Sequence, residues 1–339
     1  MTVTDIAKLA NVSIATVDRV LHNRGRVAET TKKRIEQIIK DSGYQPDPLA
    51  RHLKKRGKYK IGVVLPKLST AYGYWEQVFS GIQKTAEQEF SAFSFSIQLF
   101  SFIRSDVASL AETLAELENS ECDAFIIAPV MEEQIKNFLY DHKVQKPYCF
   151  IDSPLPDCKP LSVIAQNPFS AGYLAGRLTQ MLAKQEGTYI AVKPFTGAFN
   201  LDQRGLGFCE WFKKNPSHAK IVTYTARLTI DSAEAEVRKI IAEYPDLTAI
   251  CVVSVETFLL AKAVQKLGLK KNIIITGFDL VENNKIELKN KNIDALIDQN
   301  PFEQGSLSVR QLFKKLVYEE EPEKEIHIPL EIYIKENLI

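Results

Sequence analysis

At 339 residues the chain is too long for one ordinary hydrophobic core and predicts two or three domains. Its 45% apolar and 25% charged residues are those of an average globular protein; no run of about 18 apolar residues suits a membrane span, and the first twenty residues lack a signal peptide's apolar core. The net charge of +1 conceals an asymmetry: residues 1–60 carry 14 Lys/Arg against 6 Asp/Glu and the rest 29 against 36, so only the first module is expected to face a polyanion.

Three short helices are predicted between Thr2 and Asp41. Thr2 and Asp5 have the spacing of a capping box, and Ile6, Leu9 and Ala10 are expected on the buried face behind it. Asn11 suits a left-handed turn and Ser13 a helix N-cap. The next helix, Ile14–His22, should bury Val17, Val20 and Leu21. A third, from Glu29 to Asp41, should bury Ile35, Ile38 and Ile39 and stop at Ser42-Gly43. Helix, tight turn, helix is the helix-turn-helix pattern, whose second helix enters the major groove by its N-terminal residues. Arg19 is then the candidate for a guanine edge, and Ile14 and Ala15 for a thymine methyl. Ser13, Thr16, Thr31, Lys32 and Lys33 are candidates for phosphate contacts.

Residues 2–27, T-V-T-D-I-A-K-L-A-N-V-S-I-A-T-V-D-R-V-L-H-N-R-G-R-V, resemble the opening of the LacI/GalR family of bacterial transcription regulators, and the match runs on through Gly43-Tyr44-Gln45-Pro46 and Leu49-Ala50-Arg51-His52-Leu53. The resemblance implies a hinge helix that folds on operator DNA, with Leu53 as a minor-groove wedge and Ala50 allowing two such helices to approach closely. Asn11 in place of a usual glycine, Asp18 for serine, His22 for asparagine and Ala28 for a capping serine depart from the family's commonest pattern.

From Lys60 onward apolar runs alternate with amphipathic stretches. Strands are predicted at Lys60–Leu65, Phe95–Phe100, Ala124–Ala128, Tyr148–Ile151 and Ser162–Ala165, then at Thr188–Val192, Ile221–Thr225, Ala249–Val253, Ile273–Thr276 and Ala295–Asp298. Helical patterns between them include Tyr74–Phe90, Asp106–Glu118, Ala171–Lys184, Ser232–Glu243 and Thr257–Leu267. So many strands predict two parallel-sheet lobes, and the body resembles the periplasmic sugar-binding fold that forms the core of the same family. The expected architecture is an all-α helix-turn-helix head on an α/β, two-lobed, periplasmic-binding-protein-like (type I) body. Its expected domains are a DNA-binding domain at 1–45, a hinge helix and linker at 46–58, and an effector-binding domain at 59–339. In the last, lobe 1 takes about 59–163 and 293–318 and lobe 2 about 164–291 and 322–339. The three crossovers that the family implies are placed near Ser162–Ala165, Asn290–Asn292 and Tyr318–Glu323.

Ligands of open α/β sheets sit beyond the carboxyl ends of the strands. A polyol needs an aromatic face, here Tyr74 and Trp75, and planar hydrogen-bonding groups, here Asp152, Asn200, Arg204, Asp279 and Gln299. By resemblance, Arg204 in R-G-L-G-F is the family's ligand-binding arginine, and Asp279 in I-T-G-F-D and Gln299 in D-Q-N-P-F-E-Q-G match later contacts. Asp279 has the alternative of capping the next helix, and Gln299 of bracing a crossover. Where many sugar-binding relatives have Asn-Asp, Ser254-Val255 offers no strong acceptor; Lys193 and Arg204 leave an acidic or phosphorylated effector as the second choice.

The expected function is a sequence-specific repressor, cytoplasmic and homodimeric, with operator DNA and a sugar-like effector as partners. The rival is a sugar-binding transport-type protein without a DNA role. Neither G-x-G-x-x-G after a strand, nor G-x-x-x-x-G-K-S/T, nor H-E-x-x-H, nor a nucleophile elbow occurs, so no enzyme is expected. The five scattered cysteines, without a C-x-x-C pair, predict reduced thiols with neither a disulfide frame nor a zinc site; no cofactor and no other metal is expected.

Overall fold

The computed structural model describes residues 1–21, 25, 27–44, 58–69, 72–93, 95–104, 106–141, 144–183, 185–195 and 197–338. The chain divides into two compact units, Met1–Gly57 with Val317–Glu319, and Lys58–Leu316 with Glu320–Ile339.

The head is three helices, α1 (Val3–Leu9), α2 (Ile14–Leu21) and α3 (Glu29–Ser42). Thr2 and Asp5 form the capping box: Thr2 Oγ1 accepts from Asp5 N at 3.2 Å, and Asp5 Oδ2 accepts from Thr2 N at 2.9 Å. Asn11 takes a φ of 51° at the turn, and Gly43 closes α3 with a φ of 62°. Ile6, Ala7, Ala10, Val17, Val20 and Ile35 make the small core, with Leu21, Ile38 and Ile39 packed at its margin. Leu9, expected inside, is 61% exposed, and Ala7 is buried instead. At 100° per residue the direction shared by Ile6, Ala7 and Ala10 leaves Leu9 about 100° away on the helix wheel. Ala50 and Leu53 lie outside the described residues.

The body has two six-stranded sheets. The first, ordered β11-β5-β4-β3-β1-β2, is built of β1 (Tyr59–Pro66), β2 (Phe95–Phe102), β3 (Ala124–Ile127), β4 (Tyr148–Ile151), β5 (Ser162–Ala165) and β11 (Glu325–His327). The second, ordered β12-β10-β9-β8-β6-β7, is built of β6 (Thr188–Lys193), β7 (Lys220–Thr225), β8 (Leu247–Val252), β9 (Ile274–Phe278), β10 (Ala295–Asp298) and β12 (Glu331–Tyr333). All pairings are parallel except β10 with β12. The helices between them are α4 (Tyr74–Gln88), α5 (Val107–Glu118), α6 (Glu132–Asp141), α7 (Pro168–Leu182), α8 (Phe199–Lys214), α9 (Ala233–Glu243), α10 (Thr257–Lys266), α11 (Glu282–Lys289) and α12 (Pro301–Phe313).

Burial explains the apolar runs. On β6, Ile190 and Val192 join the core under α9 and α10, while Tyr189 and Ala191 join the core under α7 and α8, so both faces of the strand are covered. Each lobe also holds a helix pair in close contact. A Cβ on Gly81 of α4 would lie 2.0 Å from Phe302 O of α12, and one on Gly172 of α7 would lie 1.9 Å from Arg204 O of α8, distances that only glycine permits.

Two expected crossovers are corrected. Strand β10, assigned to lobe 1 from sequence, pairs with β9 in the second sheet, and the chain crosses afterwards, at Gln299–Asn300, into α12. Asn290–Asn292 belongs to the α11–β10 loop: its polar composition suits a linker, but the flanking elements belong to one lobe. The last crossing lies not at Tyr318–Glu323 but between β11 and β12, where Ile328-Pro329-Leu330 carries the chain from one sheet to the other. Both strands are only three residues long, too short to show a period. The first crossing follows Ser162–Ala165, at Gln166–Asn167.

Candidate functional site

In the head, Ser13 caps α2, its Oγ accepting from Thr16 N at 3.2 Å and lying 2.9 Å from Thr16 Oγ1. That cap presents the first turn of α2 outward: Ile14 is 49% exposed, Ala15 and Arg19 are exposed, and Val17 and Val20 turn inward. Ser13 is exposed, and Thr16, Thr31 and Lys32 are half-buried, with Lys32 Nζ 3.9 Å from Glu36. The second helix of a helix-turn-helix thus offers one apolar, one small and one cationic residue to solvent, the set that can meet base edges in a major groove.

In the body, a cleft of about 1260 Å³ opens between the lobes at the carboxyl ends of the strands, and Tyr74, Trp75, Asp152, Asn200, Arg204, Asp279 and Gln299 all line it. Two carboxylates occupy equivalent places. Asp152 follows β4 with a φ of 69° and Asp279 follows β9 with a φ of 72°. Such left-handed backbone is costly for a residue with a Cβ and persists where the surroundings enforce it. Asp152 Oδ1 accepts from Tyr74 OH at 2.7 Å, and its Oδ2 from Asn200 Nδ2 at 2.8 Å, so the first lobe touches the second there. Asp279 Oδ1 accepts from Gln299 Nε2 at 2.6 Å, and Gln299 Oε1 accepts from Arg204 Nη2 at 2.8 Å. Arg204 Nη1 donates to Val253 O at 2.9 Å, and the guanidinium lies 4.4 Å from the centre of the Phe278 ring. Burial raises both carboxyls, Asp279 to about 7, against the opposing pull of Arg204; burial and Asp152 hold the Tyr74 phenol well above its ordinary range.

The structure adds residues not singled out from sequence. Gln304 ties the floor together: its Oε1 accepts from Asp152 N at 2.8 Å, and its Nε2 donates to Gln299 O at 3.0 Å. It lies inside the quoted D-Q-N-P-F-E-Q-G run, so proximity to Gln299 was the available signal. Arg104, just beyond β2, stacks its guanidinium 4.0 Å from the centre of the Phe195 ring; extending the strand-end rule past Phe102 finds it. Glu256 is 8% exposed and lines the cleft, so the acceptor absent at Ser254-Val255 is supplied one residue later. Lys193 is committed to Asp202 at 2.6 Å, which removes one support for an acidic effector. Trp75 packs edge-on against Tyr74 with centroids 4.9 Å apart.

No helix among the described residues is long and apolar enough to cross a membrane. Residues 61–320 match the family model of the periplasmic binding protein domain, and residues 2–47 that of bacterial regulatory proteins of the lacI family. The chain is 26% identical to a ribose operon repressor from Halalkalibacterium halodurans, over 99% of this chain and 96% of that one. It is also 26% identical to a sucrose operon repressor from Lactococcus lactis, over 82% of each. Among solved structures, GanP, a glucose-galactose binding protein from Geobacillus stearothermophilus, superposes with a TM-score of 0.75 at 20% identity, covering 83% of this chain and 99% of that one, which shows the fold. A lacI-type head, a periplasmic binding protein body and repressor relatives along nearly the full length together place the chain in the LacI family of DNA-binding transcription regulators.

Proposed function

We propose that this chain is a cytoplasmic, homodimeric repressor that holds an operator through its cationic head and loosens that hold when a neutral, sugar-like effector fills the cleft. The observation that carries the DNA half is the solvent exposure of Ile14, Ala15 and Arg19 on a helix whose other face is core. Arg19 reads a guanine, Ile14 and Ala15 rest on a thymine methyl, and Ser13, Thr16, Thr31 and Lys32 meet phosphates. Ala50 and Leu53 are assigned to the minor groove on family resemblance alone. The proposed division is a DNA-binding domain at 1–45, a hinge and linker at 46–58 and an effector domain beyond.

In the body, Asp152, Asn200, Arg204, Asp279 and Gln299 offer planar acceptors and donors beside Tyr74 and Trp75, the chemistry that suits paired hydroxyls and a C–H face. Relatives named for ribose and sucrose operons support a sugar. The protein acts by coupled binding and not by turnover. Closure of the lobes shifts the first-lobe faces near 76–90 and 106–118 that we pair in the dimer, and operator affinity changes by the coupling free energy, about 1–3 kcal/mol. The test has two stages. Duplexes selected from a random pool by the purified protein should share a two-fold symmetric sequence and bind less tightly as salt rises. Neutral sugars are then screened for one that raises the melting temperature and releases the selected duplex. Affinity independent of sequence and salt would overturn the DNA assignment, and sedimentation as a monomer the dimer.

A further inference from the structure

The floor of the cleft is bonded to itself in two sets, Arg204–Gln299–Asp279 and Asp152–Asn200, which Gln304 joins. One pair of charged residues stands apart from that arrangement. Arg104 comes from the end of β2 in the first lobe, and Glu256 from the loop between β8 and α10 in the second. Both line the cleft, and Glu256 is the strongest charged neighbour of Arg104. Yet Arg104 Nε and Glu256 Oε2, like Glu76 Oε1, Arg204 Nε and Ser254 Oγ of the same lining, are buried atoms with no hydrogen-bond partner among the described residues, and of these Arg104 and Glu256 set a cation on one lobe against its strongest charged neighbour, an anion, on the other. A buried donor and a buried acceptor left open on facing lobes are costly unless a ligand completes them. Aromatic surface flanks the pair: Phe195 lies against the Arg104 guanidinium, and burial, with the charge of Glu256 added, raises the Tyr72 phenol at the cleft wall.

The two charges restrict which group can bond to both. Phosphate or carboxylate accepts from Arg104 but repels Glu256; ammonium donates to Glu256 but repels Arg104. A hydroxyl both accepts and donates. The wider lining has seven acidic and four basic side chains, a poor setting for an anion. We infer that Arg104 and Glu256 set effector specificity, gripping one hydroxyl of a neutral polyol between the lobes and turning away phosphorylated and carboxylated sugars. This rests on the sugar reading given under Proposed function and narrows it.

The experiment is calorimetric and thermal-shift titration of the full chain with D-ribose, D-glucose, D-arabinose, D-glucosamine, D-gluconate and D-glucose 6-phosphate, on wild type, Glu256→Gln and Arg104→Met. A neutral sugar should bind the wild type, and each variant should weaken it at least tenfold. Glu256→Gln should also narrow the gap between that sugar and D-glucose 6-phosphate, a change of preference that loss of packing alone does not produce. If Arg104→Met fails to fold, the preference shift in Glu256→Gln decides. Wild-type binding of D-glucose 6-phosphate or D-gluconate in preference to the neutral sugars, or neutral-sugar affinity untouched in both variants, overturns this inference alone. Silence of the wild type toward every sugar overturns the sugar reading and this inference with it.

Discussion

The head and the cleft present their functional side chains in opposite ways. Ile14, Ala15 and Arg19 stand at the surface of α2, carried by the helix beneath them. Arg204, Asp279, Gln299, Asp152 and Asn200 are buried and held by bonds within the cleft floor, Arg204–Gln299–Asp279 and Asp152–Asn200 being joined through Gln304. The difference follows from the partner. A duplex brings its own charges and base edges to a surface, so the reader needs position and little else. A small molecule is enclosed, so the polar groups of the floor are aimed in advance by bonds to one another, and those left open are ones a ligand can complete. Substitution of the base-facing residues should therefore cost recognition alone in the head, and both folding and recognition in the cleft.

The comparison can be broken most forcefully at Arg204. Arg204→Ala strands two buried acceptors, Val253 O and Gln299 Oε1, at about 1–3 kcal/mol each, and should destabilise the body by about 2–6 kcal/mol in urea unfolding, together with loss of the effector response. A stable variant that still responds would mean that the floor is not a unit. Next in size is Asp279. Its carboxyl is raised from 3.8 to about 7, so the folded state holds its proton longer than the unfolded state does. Its contribution to stability is therefore whole below about pH 4, drains as pH rises to about 7 and is gone above. Asp279→Asn should remove that loss, flattening the pH dependence by roughly 3 kcal/mol across that window in ligand-free protein. An unchanged slope would assign the titration elsewhere.

The head should respond more gently. Arg19→Ala should relax preference at one operator position by about 1–3 kcal/mol in competition binding and leave the melting temperature where it was. An equal loss on every sequence would make Arg19 a phosphate contact. Smallest is Ser13→Ala, which removes the cap of α2 and should cost about 1 kcal/mol in unfolding of the head. A larger fall in DNA affinity than in stability would show that Ser13 Oγ also meets a phosphate.

Legibility differed between the same two regions. The head's spacing carried its structure, because a capping box, an N-cap serine, a positive-φ asparagine and a closing glycine are local devices whose geometry involves only neighbouring residues. Leu9 escaped because a short helix leaves its buried direction loosely defined until the other helices pack on it. In the body, strands with continuous apolar runs were readable. The two short strands at the C-terminal end were not, and with them went the position of the last crossing. Arg104 and Glu256 were passed over because an isolated charge in a loop looks the same whether it faces solvent or a cleft.

The sequence by itself determined most of the segments that become helix or strand, though not the two short C-terminal strands, that the positive charge gathers in the first module, and that seven particular residues are suited to a polyol. Tertiary structure alone decided that those seven line one cleft, where the chain passes from lobe to lobe, and that Arg104 and Glu256 line that cleft from opposite lobes. The reason is range. Caps, turns and periodicity act over a few residues, whereas a hydrogen bond such as Asn200 to Asp152 joins positions 48 apart, and only the packing of both lobes sets whether such partners meet.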